Sequence, residues 1–141
     1  MKMRMMTTMT MKNKLCGKSC VEGKEFDYCK HEDHSLDCMF YRQIQYQKKS
    51  NGNTFPEVNP DYVATFSLGL IAELGEVLQV YKGWKPWKKE DIEVDRKQMD
   101  PELADMWHFM INLSLALGYD AEDVVRAFNE KHLEVMDRLE E

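Results

Sequence analysis

Two stretches of the chain, residues 62–81 and 103–119, are almost wholly apolar or small, and each is associated with one pair of acidic residues. The two acids of each pair are three residues apart, so they share one edge of an α-helix. The pattern predicts two mostly apolar helices that are neighbours in sequence and present carboxylates from one side. The four acids are Glu73, Glu76, Glu102 and Asp105.

Capping residues, prolines and glycines divide the chain into helices. Ser35 is the candidate cap of the first helix, Asn59 of the second, Asp100 of the third and Asp120 of the last. No stretch shows a convincing strand pattern. We therefore predict an all-α fold, a bundle of four to five helices, whose helices cover residues 37–49, 60–82, 101–118 and 120–141.

Composition and charge restrict the function. A chain of 141 residues with 43% hydrophobic residues is expected to form one domain with a real core. The net charge of -6 argues against a general nucleic-acid binder. Two acids in the middle of residues 62–81 argue against a membrane span, and we predict no signal peptide at the N-terminus. Cytoplasmic localisation is the resulting expectation.

The polar, lysine-rich residues 1–34 are predicted to be a flexible arm, followed by the domain at residues 35–141. Cysteines and histidines in and beside this arm leave two alternatives open. They form a small zinc site, or they are thiols and imidazoles without a metal, because their irregular spacing matches zinc motifs poorly. The residues are Cys16, Cys20, Cys29, His31, His34 and Cys38.

Four carboxylates in an apolar setting need a cation. Hard oxygen donors suit Mg²⁺, with Mn²⁺ as the expected substitute, rather than zinc. His108 lies at the edge of this acidic stripe and is either a further ligand or a hydrogen-bonded core histidine.

The loop at residues 83–99 combines tryptophans with several lysines, a pairing that suits a base and a polyphosphate. The alternative is a solvated basic loop whose tryptophans pack on the core. Lys131 and Arg138, two turns apart on the last helix, are either phosphate contacts or solvated cations in weak ion pairs.

Four segments together resemble the all-α nucleoside triphosphate pyrophosphohydrolases, a superfamily that includes MazG and the dimeric dUTPases. The segments are ELGE (73–76), YKGWKPWKK (81–89), ELADMWHF (102–109) and FNEKHLEVMDR (128–138). The Trp-Lys loop and the Asp-x-x-His-Phe sequence are most similar to the dimeric dUTPases and their phage-encoded relatives. The family's C-terminal asparagines are replaced by His132 and Val135.

The resemblance implies hydrolysis of a deoxynucleoside triphosphate, dUTP first, to monophosphate and pyrophosphate. It implies that Glu73, Glu76, Glu102 and Asp105 bind Mg²⁺ and that Glu73 orients the attacking water. Gln43 corresponds to a family glutamine near the base, Trp84 to the aromatic residue of the family's loop, and Asn112 is expected to reach the sugar. The implied phosphate contacts are Lys88, Lys131 and Arg138.

Three functions from two classes therefore stand as alternatives. The chain is a dUTP-directed enzyme, a MazG-like house-cleaning enzyme for another nucleotide, or a non-catalytic helical binding module with a zinc-binding arm. We expect a nucleotide substrate, no nucleic-acid or membrane partner, and a homodimer or homotetramer, because a small bundle with this much apolar surface would leave patches exposed.

Overall fold

The computed structural model describes residues 35–52, 55, 57–87 and 93–140. These residues form four α-helices and a short 3₁₀ turn at Lys82–Trp84, with no β-strand among them, so the all-α prediction is confirmed. The predicted arm at residues 1–34 and Lys88 lie outside the described residues. The helices are α1 (Leu36–Asn51), α2 (Pro60–Val80), α3 (Arg96–Ala116) and α4 (Ala121–Asp137).

Three of the four predicted helix starts are confirmed by their caps. The Ser35 hydroxyl accepts a hydrogen bond from the Cys38 amide at 3.4 Å, and Asn59 caps α2 in the same way. At α4, Asp120 and Asp123 form a reciprocal capping box. Each cap satisfies amide groups that the first turn of a helix leaves without partners.

The predicted start of α3 near Pro101 was wrong, because the helix begins one turn earlier. Asp95 caps it by accepting from the Lys97 amide at 3.0 Å, and its second oxygen accepts from Gln98 at 2.6 Å. Pro101 therefore lies inside the helix. The cap of α3 is therefore Asp95 rather than the predicted Asp100.

Helices α2 and α3 pack along much of their length, and their pairing is antiparallel. Phe66 near the start of α2 meets Phe109 in the second half of α3, with ring centroids 6.4 Å apart. Glu73 and Glu76, further along α2, lie beside Glu102 near the start of α3. The core lies at the Phe66 end of this pair and extends to α1, where Phe40 and Ile44 belong to it.

One face of α3 carries large apolar side chains that are exposed in the described chain, namely Leu103, Trp107, Met110 and Leu117. The buried apolar positions of α3 are Met99, Ile111, Leu115 and Ala116. The reason is the position of α4, which packs against α1, with only Ala121 buried, instead of covering the other face of α3.

Helix α2 is long and apolar enough to cross a membrane, judged by length and composition only. The argument against a membrane span therefore rests on Glu73 and Glu76. Very little of this helix is buried within the described chain, so most of its apolar surface faces outwards.

Candidate metal and nucleotide site

The antiparallel pairing of α2 and α3 brings three of the predicted metal ligands together. Glu73, Glu76 and Glu102 each offer one carboxylate oxygen, and these oxygens lie within 4.8 Å of one another. Asp105 lies close enough for its charge to act on both Glu73 and Glu102. The acids that sequence spacing placed on two separate helices therefore face one another across a single cleft, which we call the acidic cleft.

A glycine allows the two helices to approach closely beside this cleft. At Gly69 on α2, any Cβ atom would overlap the Phe109 ring of α3. Gly69 precedes Glu73 by four residues, one turn of the same face. The Gly69–Phe109 contact thus controls how far apart the two pairs of acids stand.

Mutual repulsion and partial burial perturb the acids. The pKa of Glu73 is raised, first by burial and then by the charges of Glu76 and Asp105. The pKa of Glu102 is raised by burial and by Glu76, through both its charge and a side-chain hydrogen bond, with smaller effects of Glu73 and Asp105. Both carboxyls therefore hold protons to higher pH than ordinary glutamates.

The donor set fits a hard divalent cation. Oxygens on opposite sides of a Mg²⁺ ion are about 4.2 Å apart, twice its usual bond length. The three clustered oxygens span a similar distance, and no cysteine or histidine is in the cluster. A cation of charge +2 would also remove the repulsion that raises the two pKa values.

We expect the stabilisation by Mg²⁺ to grow with pH. The raised pKa values of Glu73 and Glu102 mean that the folded state binds more protons than the unfolded state, so their contribution to stability falls as pH rises above about 4.3, the ordinary glutamate value. As the pH rises above this value, the carboxyl groups of the cluster lose their protons, and the affinity for the metal increases. Thermal unfolding at about pH 5 and about pH 8, with and without Mg²⁺, measures both effects.

Comparing each pH with and without metal removes contributions from other groups, such as Asp123, whose pKa is lowered by its bond to Arg126. A Mg²⁺-induced shift that is equal at both pH values, or absent, contradicts the site.

Three buried polar side chains lie on α1 and α3. Gln43 on α1 is buried, and its Oε1 lies 2.7 Å from Nδ1 of His108, an exposed residue of α3. Gln47, one turn further along α1, is buried and accepts from Asn51 at 2.8 Å. Asn112 on α3 is buried, and its Oδ1 has no hydrogen-bond partner among the described residues. We call Gln43, Gln47 and Asn112 the amide cluster.

An unpaired acceptor buried to this extent is costly, commonly by about 1–3 kcal/mol, so Asn112 indicates a place for a donor from a ligand. Asn112 is seven residues beyond Asp105 on α3, about 10 Å along the helix. Asn112 and Asp105 therefore lie on the same helix, two turns apart.

The sequence analysis singled out Gln43 and Asn112, left two alternatives for His108 and did not name Gln47. The structure buries Gln43, Gln47 and Asn112, and it places the exposed His108 within hydrogen-bond distance of Gln43. A signal for Gln47 was present, since Gln43 and Gln47 are one turn apart on the side of α1 that carries Phe40 and Ile44.

Trp84 borders a cavity that is separate from the four acids. Its indole nitrogen donates to the Leu78 carbonyl at 2.8 Å, and the Lys85 ammonium is 5.0 Å from the ring centroid. The ring borders an open cavity of about 460 Å³ whose lining includes none of the four acids. The lining residues are Gly75, Leu78, Gln79, Lys82, Trp84 and Lys85. Within one described chain, Trp84 is thus not brought to the acidic cleft.

The two predicted phosphate contacts of α4 are also separate from the cleft. Lys131 and Arg138 are exposed, and both are paired with Glu134 of their own helix. No ion pair joins either cation to the four acids in the part of the chain that the structure describes. Exposed pairs of this kind contribute little stability.

Comparisons with known proteins agree on a nucleotide-directed group. A family model described as dUTPase matches residues 34–141. A dCTP pyrophosphatase of Enterobacteria phage LZ5 is 32% identical over 52% of this chain and 52% of its own length. A dCTP pyrophosphatase of Enterobacteria phage T4 is 31% identical over 45% and 46%, respectively.

A DNA replication protein of Enterobacteria phage T4 is 29% identical over 48% of this chain and 21% of its own length. The chain thus spans about half the length of the two phage pyrophosphatases and less of the replication protein. No solved structure is significantly similar to it.

Proposed function

Because this chain belongs to the dUTPase family, we propose that it hydrolyses a deoxynucleoside triphosphate, preferably dUTP, to the monophosphate and pyrophosphate. The observation that carries the proposal is the convergence of Glu73, Glu76 and Glu102 beside the buried amide cluster. The first group suits a metal-bound phosphate chain, and the second suits a nucleoside. The resemblance to the all-α pyrophosphohydrolases, confirmed by the family match, supports the same assignment.

Glu73, Glu76, Glu102 and Asp105 would hold Mg²⁺, for which Mn²⁺ is the expected substitute. The metal supplies shielding of the phosphate charge and a lowered pKa for bound water. Glu73 orients the attacking water and takes its proton as the water oxygen bonds to phosphorus and the bond to the leaving oxygen breaks.

The nucleoside occupies the amide cluster in this proposal. Gln43 contacts the base, and Asn112 reaches the sugar, whose 3′-hydroxyl is the donor that the buried Oδ1 lacks. Trp84 contributes an aromatic surface, and Lys88, Lys131 and Arg138 contact phosphates. To reach the bound nucleotide, Trp84 and Lys88 would approach from the loop, and Lys131 and Arg138 from α4. Alternatively, a second copy of the chain would supply them.

We also propose a homodimer or homotetramer. The support is the extent of exposed apolar surface, with Leu68 and Ile71 on α2 and Phe128 and Leu133 on α4 each at least 65% exposed. Apolar area of this kind is typical of a surface that another subunit covers. The expected location is the cytoplasm, without a nucleic-acid or membrane partner.

A second candidate is hydrolysis of dCTP, which the printed names of two phage relatives favour. This candidate assumes the same fold and the same four acids, and it differs only in the base of the substrate. MazG-like house-cleaning of another nucleotide is the third alternative, and it uses the same acids. A non-catalytic module with a zinc-binding arm depends on residues before 35, outside the described residues.

The deciding experiment is release of monophosphate and pyrophosphate from a panel of deoxy- and ribonucleoside triphosphates with Mg²⁺. We expect turnover with dUTP preferred. If dCTP or another triphosphate is preferred, the proposed hydrolysis is supported and the proposed substrate is replaced. No turnover of any triphosphate, with Mg²⁺ or Mn²⁺, removes the proposal in favour of the binding module, which zinc analysis of the full chain then tests.

A further inference from the structure

Helix α4 is covered by the rest of its own chain only near its start. Ala121 is buried and Val124 is half-buried, whereas every residue from 125 to 140 is exposed. A helix of this length is marginally stable in water by itself, and most helices in proteins are stabilised by packing of an apolar face. The exposed part of α4 therefore needs a surface on which to pack.

This part of the chain carries a largely apolar stripe, which we call the α4 stripe. Its members follow one another at alternating spacings of three and four residues, which places them on one side of a helix. The rings of Phe128 and His132 stack there, with centroids 6.0 Å apart. Arg138 lies along one border of the stripe, about 110° from its centre. The members are Val125, Phe128, His132, Val135 and Leu139.

Helix α3 exposes a second stripe with the same alternating spacing, which we call the α3 stripe. It lies on the side turned away from α2, because Trp107 is about 160° around the helix from Phe109, the residue whose ring approaches Gly69 of α2. Glu102 of the acidic cleft lies along one border of this stripe. The members are Leu103, Trp107, Met110, Ser114 and Leu117, and the four apolar ones are exposed.

The two stripes fit each other when the helices run antiparallel. The small Ser114 then faces Phe128, and the large Trp107 faces Val135, so large side chains meet smaller ones along the contact. The same alignment pairs Leu103 with Leu139, Met110 with His132 and Leu117 with Val125. Within one chain this contact is not made, because α4 packs against α1. A second copy of the chain offers both stripes, and a two-fold axis would form the contact twice.

The antiparallel alignment also brings opposite charges together. It places Arg138 and Glu102 on the same border of the contact, about 3 Å apart along the helix axis. The acidic cleft contains four carboxyl groups, and no ion pair links them to a lysine or arginine of the described residues. A triphosphate would bring further negative charge, and arginine binds phosphate through paired, charge-assisted hydrogen bonds.

We propose that the α4 stripe packs antiparallel on the α3 stripe of a second copy, and that Arg138 of each copy contacts a substrate phosphate at the acidic cleft of the other. The active site is then shared between two chains. The role of Arg138 rests on the proposed function, whereas the contact between the stripes does not.

Sedimentation of the full-length chain over a range of concentrations tests the contact. We expect the wild type to associate, and Phe128→Asp and Met110→Asp each to raise the dissociation constant by about tenfold or more, because each places an unpaired charge between the stripes. Leu133→Asp is the matched control, since Leu133 is as exposed as Phe128 but lies outside the α4 stripe. Circular dichroism verifies that each variant keeps its helices.

A monomeric wild type overturns the proposal and means that something other than a second copy covers α4. Equal weakening by Leu133→Asp and Phe128→Asp also overturns it, because the contact would then not follow the stripe.

Co-expression of two impaired chains tests the shared site. Glu73→Gln removes the proposed base, and Arg138→Ala should lower kcat/KM by about tenfold or more, the usual effect of losing a hydrogen bond to a charged group. In mixed oligomers about a quarter of the sites combine an intact cleft with an intact Arg138 from the other chain. We therefore expect hydrolysis to recover to about a quarter of the wild-type rate.

If the mixed oligomers form but show no more activity than their Arg138→Ala chains supply, Arg138 acts within its own chain and the shared site is wrong. No hydrolysis of any triphosphate by the wild type is a different outcome. It removes the proposed function and the role of Arg138 together, while sedimentation still decides whether the two stripes meet.

Discussion

Glu73→Gln should abolish triphosphate hydrolysis, with a loss of about a thousandfold or more, while the helical circular dichroism is unchanged. General-base catalysis alone is commonly worth about 10²–10⁴-fold, and Glu73 is also a proposed metal ligand. The amide has the size of the carboxylate but neither its charge nor its basicity. Monophosphate release under saturating Mg²⁺ measures the effect.

The same variant should be no less stable than the wild type without metal. Partial burial and the charges of Glu76 and Asp105 disfavour ionised Glu73, as its raised pKa indicates, and glutamine removes that unfavourable charge. Its stabilisation by Mg²⁺ should be smaller. Glu130→Gln, an exposed change on α4 next to Arg126, is the control and should retain activity. An active Glu73→Gln enzyme contradicts the assigned role.

Gly69→Ala and Gly75→Ala should have opposite effects on stability, although both replace a glycine in α2. A Cβ at Gly75 meets no atom within 4 Å, so alanine should stabilise by about 0.5–1 kcal/mol through helix propensity. A Cβ at Gly69 overlaps the Phe109 ring, and overpacking costs about 1–3 kcal/mol. Denaturant unfolding without metal gives both values.

Gly69→Ala should also weaken the Mg²⁺-induced stabilisation, because separating α2 from α3 moves Glu73 away from Glu102. Gly75→Ala should leave it nearly unchanged. Equal stabilisation by the two substitutions would mean that the helices are not held at the distance the Phe109 contact requires.

The fold class and the acidic cleft could be predicted because both depend on local spacing. The three-residue spacing of each acid pair predicts that both acids lie on one face of their helix. Because consecutive helices are commonly antiparallel neighbours, the two acidic faces are expected to meet. The amide cluster depends instead on contacts between α1 and α3. Gln43 could be placed by resemblance, but no spacing indicates that His108 would be its partner.

Other errors have physical causes of the same kind. The start of α3 was misplaced because Asp100-Pro101 matches a cap followed by a first-turn proline, whereas the helix is capped by Asp95 and includes Pro101. Trp107 and Met110 are large and apolar, yet both are exposed. Which apolar face of α3 is covered depends on where α4 packs, and that is a property of the whole chain.

The outward apolar surface of α2 would make the proposed metal site depend on protein concentration. If a second subunit covers Leu68 and Ile71, it also restrains the helix that carries Glu73 and Glu76. Mass action would then link subunit association to the affinity for the ion, since whatever favours one favours the other. In the proposed oligomer, dilution and chelation would act on the protein as two forms of the same perturbation.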